Sequence, residues 1–345
     1  MVCYISPQED AMKRNSWITV LSVAITVGVL AFLIFMDPDV KNIGSLIKRL
    51  NPLALVAAFG CMMVFWLSEA GVVYIGCKFI PGSVSYLHAL KVSFIGQYYS
   101  ALTPFSSGGQ PMQVAYMRRW DVPVGSSSSI FAIKYLCWHI GISLAAIFGL
   151  WYNWQMLKSQ PALMIACIIG MLLNTMGVFA ALMVMSKVSL RKPLLWIAKM
   201  LVKFRIVKDY ESASDGLLTW IEDFNEAMKL GIKHPLGMWG MLMLTFLQIA
   251  GYFSVTYCLY KGFGFSGSSW LYVALLQAVL TAAVAFVPLP GASGASEGAF
   301  YLLFRTIFSS GTTLTAMVVW RVFTYYSHLV IGSIIAAYGI TLALY

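Results

Sequence analysis

The chain has 345 residues, of which 60% are hydrophobic and 10% charged, and its formal net charge is +10. A soluble domain contains about 25% charged residues, so this composition excludes an ordinary soluble globular protein, and also a disordered, collagen-like or disulfide-stapled one. In a membrane protein, an excess of Lys and Arg is the usual consequence of orientation, because these residues collect in cytoplasmic loops. The charge is therefore not evidence for nucleic-acid binding.

Long apolar runs predict an all-α polytopic membrane protein. Roughly 20 apolar residues span a bilayer as a helix, whereas an open strand cannot satisfy its backbone in lipid. Six runs are long enough for full spans, at residues 17–36, 53–76, 130–152, 161–186, 236–260 and 316–342. The first of these runs is too long for the apolar part of a signal peptide, so we expect it to be retained as a span.

Two further apolar regions are interrupted by Pro, Gly and Ser. Region 84–119 breaks at the sequence TPFSSGG (103–109), and region 268–308 breaks at PLPGASG (288–294). Irregular backbone at membrane depth is tolerated only where protein or a water-filled cavity covers it. We therefore predict that each region forms a re-entrant helical hairpin. The expected turn residues are Pro104, Gly108, Gly109, Pro290, Gly291 and Gly294.

Residues 187–233 form a polar, basic stretch with apolar residues at nearly helical spacing. This pattern is typical of amphipathic helices on a membrane surface, and a solvated connector fits it equally well. Placing the stretch in the cytoplasm places both chain termini there, and the two hairpins then enter the bilayer from opposite sides. Loop 37–50 would lie outside although it contains three basic residues, which fits this topology poorly.

The two interrupted regions also resemble each other. When Pro104 is aligned with Pro290, further residues come into register. These pairs are Gly108 with Gly294, Arg119 with Arg305 and, after one inserted residue, Lys134 with Arg321. Together with the opposite orientations, this predicts an inverted repeat of residues 84–152 and 268–342 within a single membrane domain. Broken helices that face each other near the bilayer midplane form the binding sites of many transporters.

Charged side chains at bilayer depth cost about 2.5–3.5 kcal/mol each, so they mark functional candidates. Glu69 and Glu297 lie in apolar segments, and a functional role is favoured for Glu297 because it follows the second break. For Glu69 the alternative is a structural ion pair, and for Lys134 and Arg321 it is snorkelling from the ends of spans. The complete set of predicted binding residues is Glu69, Gln97, Tyr98, Gln110, Arg118, Arg119, Lys134, Glu297, Arg305 and Arg321.

Motifs of soluble enzymes are not found in the sequence. The four histidines lack metal-ligand spacing, and there is no nucleophile elbow, P-loop or dinucleotide fingerprint. We therefore predict no catalytic residue, no metal and no cofactor. An intramembrane enzyme stays open as an alternative, because Glu69 and Glu297 could act as a pair of carboxylates.

Two segments resemble a known family. The segment FIGQYYSALTPFSSGGQPMQ (94–113) resembles the first signature of the lysylphosphatidylglycerol synthase transmembrane region, and PLPGASGASEG (288–298) resembles its second. The second segment departs from the family pattern, since Ala292 stands where a further Gly is usual. The resemblance covers about residues 50–345. This region is the flippase half of the bacterial multiple peptide resistance factor.

The resemblance implies a flippase that moves lysyl- or alanyl-phosphatidylglycerol from the inner to the outer leaflet of the bacterial cell membrane. The outer surface would then bind cationic antimicrobial peptides less strongly. Two-part members also carry a cytoplasmic aminoacyl-transferase domain after the membrane region. This chain ends at Tyr345, just past its last predicted span, which is expected either of a stand-alone flippase with a separate synthase or of part of a longer protein.

The headgroup of such a lipid carries a phosphate and one or two ammonium groups. We expect cations to bind the phosphate, carboxylates to bind the ammonium, and amide or phenol groups to add hydrogen bonds. The respective candidates are Arg118, Arg119, Arg305 or Arg321 for the phosphate, Glu69 or Glu297 for the ammonium, and Gln97, Tyr98 and Gln110 for the hydrogen bonds. A transporter of a small solute or a polyprenyl-linked sugar is the other alternative, and a homo-oligomer is compatible with all of them.

Overall fold

The computed structural model describes most of the chain from residue 46 onward, and every regular element in that part is a helix, as predicted. The predicted span 17–36 and most of the connector 187–233 lie outside the described residues. Those described are 46–48, 50–79, 84–159, 161–185, 218, 222–226, 229, 231, 233–285, 287–309 and 311–341.

Ten helices carry the architecture of the described part. They are α1 (Pro52–Cys77), α2 (Tyr86–Leu102), α3 (Gly109–Met117), α4 (Val124–Tyr152), α5 (Pro161–Met185), α6 (Pro235–Gly262), α7 (Trp270–Val284), α8 (Ala295–Phe304), α9 (Thr312–Arg321) and α10 (Ser327–Thr341).

Four helices are long and apolar enough to cross a membrane: α1, α4, α6 and the continuous stretch Thr312–Ala337 that includes α9. Helix α5 has 25 residues, and its part Met164–Phe179 is apolar as well. Large apolar side chains are exposed on the outer faces of these helices, among them Phe59, Trp151, Phe179 and Trp239. Such a surface suits lipid rather than water. The prediction of a multi-pass membrane protein is therefore confirmed.

The helices begin and end where local chemistry dictates. Helix α1 begins at Pro52, and the side chain of Asn51 accepts a hydrogen bond from the Leu53 amide at 2.9 Å. Ser85 caps α2 and Ser269 caps α7 in the same way. These caps satisfy amide groups that have no partner within the helix.

Two predicted spans begin earlier than expected. Helix α4 begins at Val124 rather than at 130, and α9 begins at Thr312 rather than at 316. The residues at these starts are polar and were therefore not part of the predicted apolar runs, but their hydroxyls bond to carbonyls one turn back. Ser128 donates to the Val124 carbonyl at 2.7 Å, and Thr315 donates to the Gly311 carbonyl at 3.2 Å. A hydroxyl satisfied in this way is tolerated inside a helix.

The last predicted span is also not one regular helix. Residues Val322–Tyr326 form a π-helical segment between α9 and α10, directly after Arg321. Insertions of this kind are common at functional sites.

Both interrupted regions fold into helical hairpins. In the first, α3 returns along α2, so that Gln113 lies against Gly96 and its Nε2 donates to the Val92 carbonyl at 3.2 Å. In the second, α8 packs against α7. Within each hairpin, the connection between the two helices contains a short 3-10 turn. We name these the first turn (Pro104–Ser106) and the second turn (Pro290–Ala292). Their re-entry into the bilayer stays a prediction.

The described helices form two units with the same order of elements: a long helix, a hairpin and a second long stretch. The first unit is α1 to α4, and the second is α6 to α10. Helices α1 and α6 lie along each other, with Gly251 close to the carbonyl of Cys61. Each hairpin packs on the other unit, because α2 contacts α10 at Gly332 and α7 contacts α4 at Gly149. The two units are therefore interlocked.

Candidate functional site

A cavity of about 350 Å³ lies where the two units meet. All ten helices and both turns contribute at least one residue to its wall. Its lining is rich in side chains that can form hydrogen bonds or ion pairs. These include Glu69, Gln97, Gln110, Gln113, Lys134, His139, Asn174, Gln248, Arg321 and His328. So many polar groups on apolar helices indicate a site for a polar ligand.

The two turns pack against each other at this cavity and begin with the same backbone conformation. After Pro104, both Phe105 (φ 55°) and Ser106 (φ 53°) are left-handed. After Pro290, Gly291 (φ 59°) and Ala292 (φ 50°) repeat this geometry. A left-handed conformation costs roughly 1–2 kcal/mol for a residue other than glycine. Strain of this kind is concentrated at ligand-binding sites.

Glu69 is the centre of the first charged cluster. Its side chain is fully buried, and one carboxylate oxygen is paired with Nζ of Lys134 from α4. The other oxygen accepts hydrogen bonds from Nε2 of Gln97 at 2.6 Å and from Nε2 of Gln248 at 3.3 Å. Four helices therefore converge on one carboxylate. A buried charge needs such partners, since an isolated one would cost several kcal/mol.

Arg321 and Glu297 form the second charged cluster. Nε of Arg321 lies 2.7 Å from Oε1 of Glu297, and Oε2 of Glu297 accepts a hydrogen bond from the Gly294 amide at 2.7 Å. The second contact caps the start of α8, because the Glu297 side chain accepts from the amide of the N-cap residue. Both terminal nitrogens of Arg321 also reach the Gly291 carbonyl, at 3.3 Å. The arginine thereby binds the second turn to its carboxylate.

The two members of this pair have different positions relative to the cavity. Arg321 is part of the lining, whereas Glu297 is fully buried behind it. That Glu297 receives a substrate ammonium stays a prediction, and its position behind Arg321 does not support it. In this structure Glu297 holds Arg321, and Arg321 is the group that the cavity presents.

Five of the ten predicted binding residues line the cavity: Glu69, Gln97, Gln110, Lys134 and Arg321. Others lie elsewhere. Arg118, Arg119 and Arg305 are exposed and outside the lining, and the guanidinium of Arg119 lies 4.2 Å from the centre of the Tyr116 ring. Tyr98 packs against Gly332 of α10. Their predicted contacts with the headgroup are therefore not supported by their positions.

The predicted turn residues have distinct roles. Gly109 lies so close to α2 that a Cβ atom would come within 2.6 Å of the Gly96 carbonyl oxygen. Gly291 lies against the ring of Tyr325 at positive φ, and Gly294 also has positive φ, at 84°. These positions require glycine either for space or for conformation.

Several lining residues were not predicted. Gln248 is a lone amide within the apolar run of α6. A polar side chain at bilayer depth is costly, and this reasoning, which identified Glu69, also applies to Gln248. His328 is buried, and its Nε2 has no hydrogen-bond partner within the described part of the chain. Its ring contacts those of Phe65 and Trp66, with centroids 5.7 and 6.0 Å away. No spacing in the sequence indicated this position.

A further polar group joins α5 to the cavity wall. Asn174 contacts Nδ1 of His139 through its side-chain oxygen and donates to the hydroxyl of Ser143 at 2.6 Å. Among the residues that the structure describes, no group of three or more His, Cys, Asp or Glu side chains is placed to hold a metal ion.

The sequence is similar along most of its length to known membrane proteins. The profile of the family described as "Lysylphosphatidylglycerol synthase TM region" matches residues 19–332. A protein of Archaeoglobus fulgidus named "UPF0104 membrane protein" is 24% identical over 323 residues, which cover 93% of this chain and 96% of that protein. The match to the family covers the first unit, both turns and the second unit as far as Gly332 in α10. The chain is therefore a member of the lysylphosphatidylglycerol synthase transmembrane-region family.

Proposed function

We propose that the protein is a lipid flippase that moves aminoacylated phosphatidylglycerol, lysyl or alanyl, from the inner to the outer leaflet of a bacterial cell membrane. The observation that carries the proposal is the cavity of about 350 Å³, whose wall presents one carboxylate and two cations. A zwitterionic headgroup offers the complementary charges. In this arrangement Arg321 and Lys134 bind the phosphate, and Glu69 binds the ammonium.

The surroundings of the cavity support the translocation of a lipid. Its wall contains two turns with irregular backbone, and such backbone is tolerated at membrane depth only beside a cavity or covered by protein. The shared conformation of the turns and the mutual packing of the units support the predicted inverted repeat. In transporters with this arrangement, one unit moves against the other around a central site. We propose that both hairpins re-enter the bilayer and that both termini are cytoplasmic.

An intramembrane enzyme is less well supported. Glu69 faces the cavity, but Glu297 does not, and each carboxylate is neutralised by its own cation. A pair of carboxylates acting as acid and base would both need access to the reacting group. We therefore propose no catalytic activity for this chain.

The proposal is tested by reconstituting the protein in liposomes that contain fluorescent lysyl-phosphatidylglycerol and measuring leaflet exchange. We expect faster exchange than in protein-free vesicles. Fluorescent undecaprenyl-phosphate-linked sugar serves as the competing substrate. Exchange of the sugar lipid alone would assign the cavity to the alternative transporter, and exchange of neither lipid would refute the proposal.

Arg321→Gln is the variant that tests the site, and Arg305→Gln is its matched control. Arg321 lines the cavity and Arg305 is exposed outside it, so the two variants remove the same charge from different places. We expect at least a tenfold loss of exchange in Arg321→Gln and little change in Arg305→Gln. Equal effects would show that the cavity does not bind the headgroup.

A further inference from the structure

An aromatic wall lines the same cavity as Glu69. Phe65 precedes Glu69 by one helical turn on α1, so both side chains lie on the same face. Trp138 follows Lys134 by one turn on α4, and Tyr252 follows Gln248 by one turn on α6. The centroid of the Phe65 ring lies 6.1 Å from that of Trp138 and 5.6 Å from that of Tyr252. All three rings line the cavity that Glu69 lines.

This combination selects for one kind of ligand. A carboxylate attracts any cation, and aromatic rings attract cations that have been stripped of water, such as an alkylammonium group. A neutral ligand can gain only a hydrogen bond from the carboxylate, which is weaker than a charge-assisted one, and anions are repelled by it. The three helices thus contribute a polar group and a ring each to a small region that matches an amine at the end of an apolar stem.

An amine of this kind already lies there. Lys134 is itself a primary ammonium on an alkyl stem, and its Nζ is paired with Glu69 and lies 5.9 Å from the centre of the Phe131 ring. Its side chain retains 16% of its exposure, so it borders the cavity instead of being sealed in the core. Lys134 therefore occupies the carboxylate that an amine ligand would need, although Phe131 is not one of the three rings of the wall.

We propose that Glu69 with Phe65, Trp138 and Tyr252 forms a binding site for a primary ammonium group, and that Lys134 fills this site until a ligand displaces it. The proposal rests on the proposed function only for the source of the amine, which is either a free alkylamine or the aminoacyl group of a lipid. Displacement frees the ammonium of Lys134 within the same cavity, where it then adds to the positive charge of Arg321 available to a phosphate.

The site is tested with hexylamine and uncharged hexanol as probes, using tryptophan fluorescence of the full chain in detergent. We expect hexylamine to bind at least tenfold more tightly than hexanol. Glu69→Gln should reduce that preference to within about twofold, and Glu226→Gln, which alters an exposed carboxylate, should leave it intact. A preference that survives Glu69→Gln, or its absence from the unaltered protein, would overturn the proposal.

Two further variants cover the case in which Glu69→Gln does not fold. Tyr252→Leu should weaken hexylamine binding at least threefold, whereas Tyr252→Phe, which keeps the ring, should not. Lys134→Met should tighten hexylamine binding, because the resident amine is removed. Arg321→Gln is the matched control, because it removes a cavity cation that is not paired with Glu69. It should tighten hexylamine binding less than Lys134→Met does. Equal effects of Tyr252→Leu and Tyr252→Phe, or weaker binding by Lys134→Met, would contradict the site.

The source of the amine is decided by comparing dihexanoylphosphatidylglycerol with its lysyl ester in the same assay. Tighter binding of the lysyl ester that depends on Glu69 assigns the site to the lipid headgroup. If hexylamine binds at Glu69 but the lysyl ester gains nothing, the amine site stands and the proposed lipid substrate fails. If Glu69→Gln prefers the lysyl ester over dihexanoylphosphatidylglycerol as strongly as the unaltered protein does, the proposed substrate stands and the amine site fails.

Discussion

Arg321 and Glu297 connect the second turn to the cavity through a buried ion pair, with Nε and Oε1 2.7 Å apart. The same arginine reaches the Gly291 carbonyl, and the same glutamate caps α8 through the Gly294 amide. One pair thus binds the second turn at Gly291 and the start of α8 at Gly294. The positive charge that Arg321 offers to a ligand in the cavity therefore depends on Glu297, which holds the arginine in place.

Breaking this pair should destabilise the protein more than removing it altogether. Glu297→Gln retains an oxygen for the Gly294 amide but leaves Arg321 buried without its counter-charge. Loss of one partner of a buried pair costs about 3–5 kcal/mol. We expect a lower thermal unfolding midpoint in detergent for Glu297→Gln than for the double variant Glu297→Gln/Arg321→Gln. An equal or higher midpoint for the single variant would contradict this account.

The first hairpin should not tolerate a larger residue at Gly109. A Cβ atom there would lie 2.6 Å from the Gly96 carbonyl oxygen and would also meet the hydroxyl of Ser100. Forced overpacking typically costs about 1–3 kcal/mol, so Gly109→Ala should lower the unfolding midpoint. Gly60→Ala is the control, because no atom lies within 4 Å of its added Cβ. Similar losses in both variants would argue against close packing of α3 on α2.

Substitutions at the equivalent left-handed positions of the two turns, Phe105 and Gly291, should change the stability of the protein in opposite directions. Phe105 has φ 55° and is 54% exposed, so Phe105→Gly relieves strain and loses little packing. We expect a gain in stability of up to about 1 kcal/mol. Gly291→Ala adds strain at φ 59° and places a Cβ atom against the ring of Tyr325, so it should destabilise. Chemical denaturation of both variants measures the difference, and the same sign in both would contradict it.

Cys61 on α1 and Cys258 on α6 should form a disulfide on mild oxidation. Their sulfur atoms are 3.8 Å apart, so a small movement brings them to bonding distance. Copper phenanthroline treatment should remove two free thiols per chain, located by mass spectrometry of peptides. Cys167 on α5, which is buried, is the internal control. Oxidation that leaves Cys61 and Cys258 free would contradict the packing of α1 on α6.

The sequence by itself determined the class of the protein and the positions of its breaks. Long apolar runs can satisfy their backbone in lipid only as helices, so the all-helical, multi-pass architecture followed from composition and run length. Helix α2 ends at Leu102, just before Pro104, because the residue that precedes a proline disfavours the helical conformation. Helix α7 ends earlier than its prolines, at Val284, so Pro290 begins the second turn and does not end the helix. Helices α4 and α9 begin before the predicted apolar runs, since the hydroxyls of serine and threonine are satisfied inside the helix.

Only the tertiary structure decided which charges meet. The cost of burial identified Glu69, Glu297, Lys134 and Arg321, but it carries no information about partners distant in the chain. Glu69 and Lys134 are 65 positions apart, and Glu69 and Gln248 are 179 apart. The packing of α1, α4 and α6 brings these residues together, and that of α8 and α9 places Glu297 behind Arg321. Which group faces the cavity is thus a property of helix packing, which no local pattern encodes.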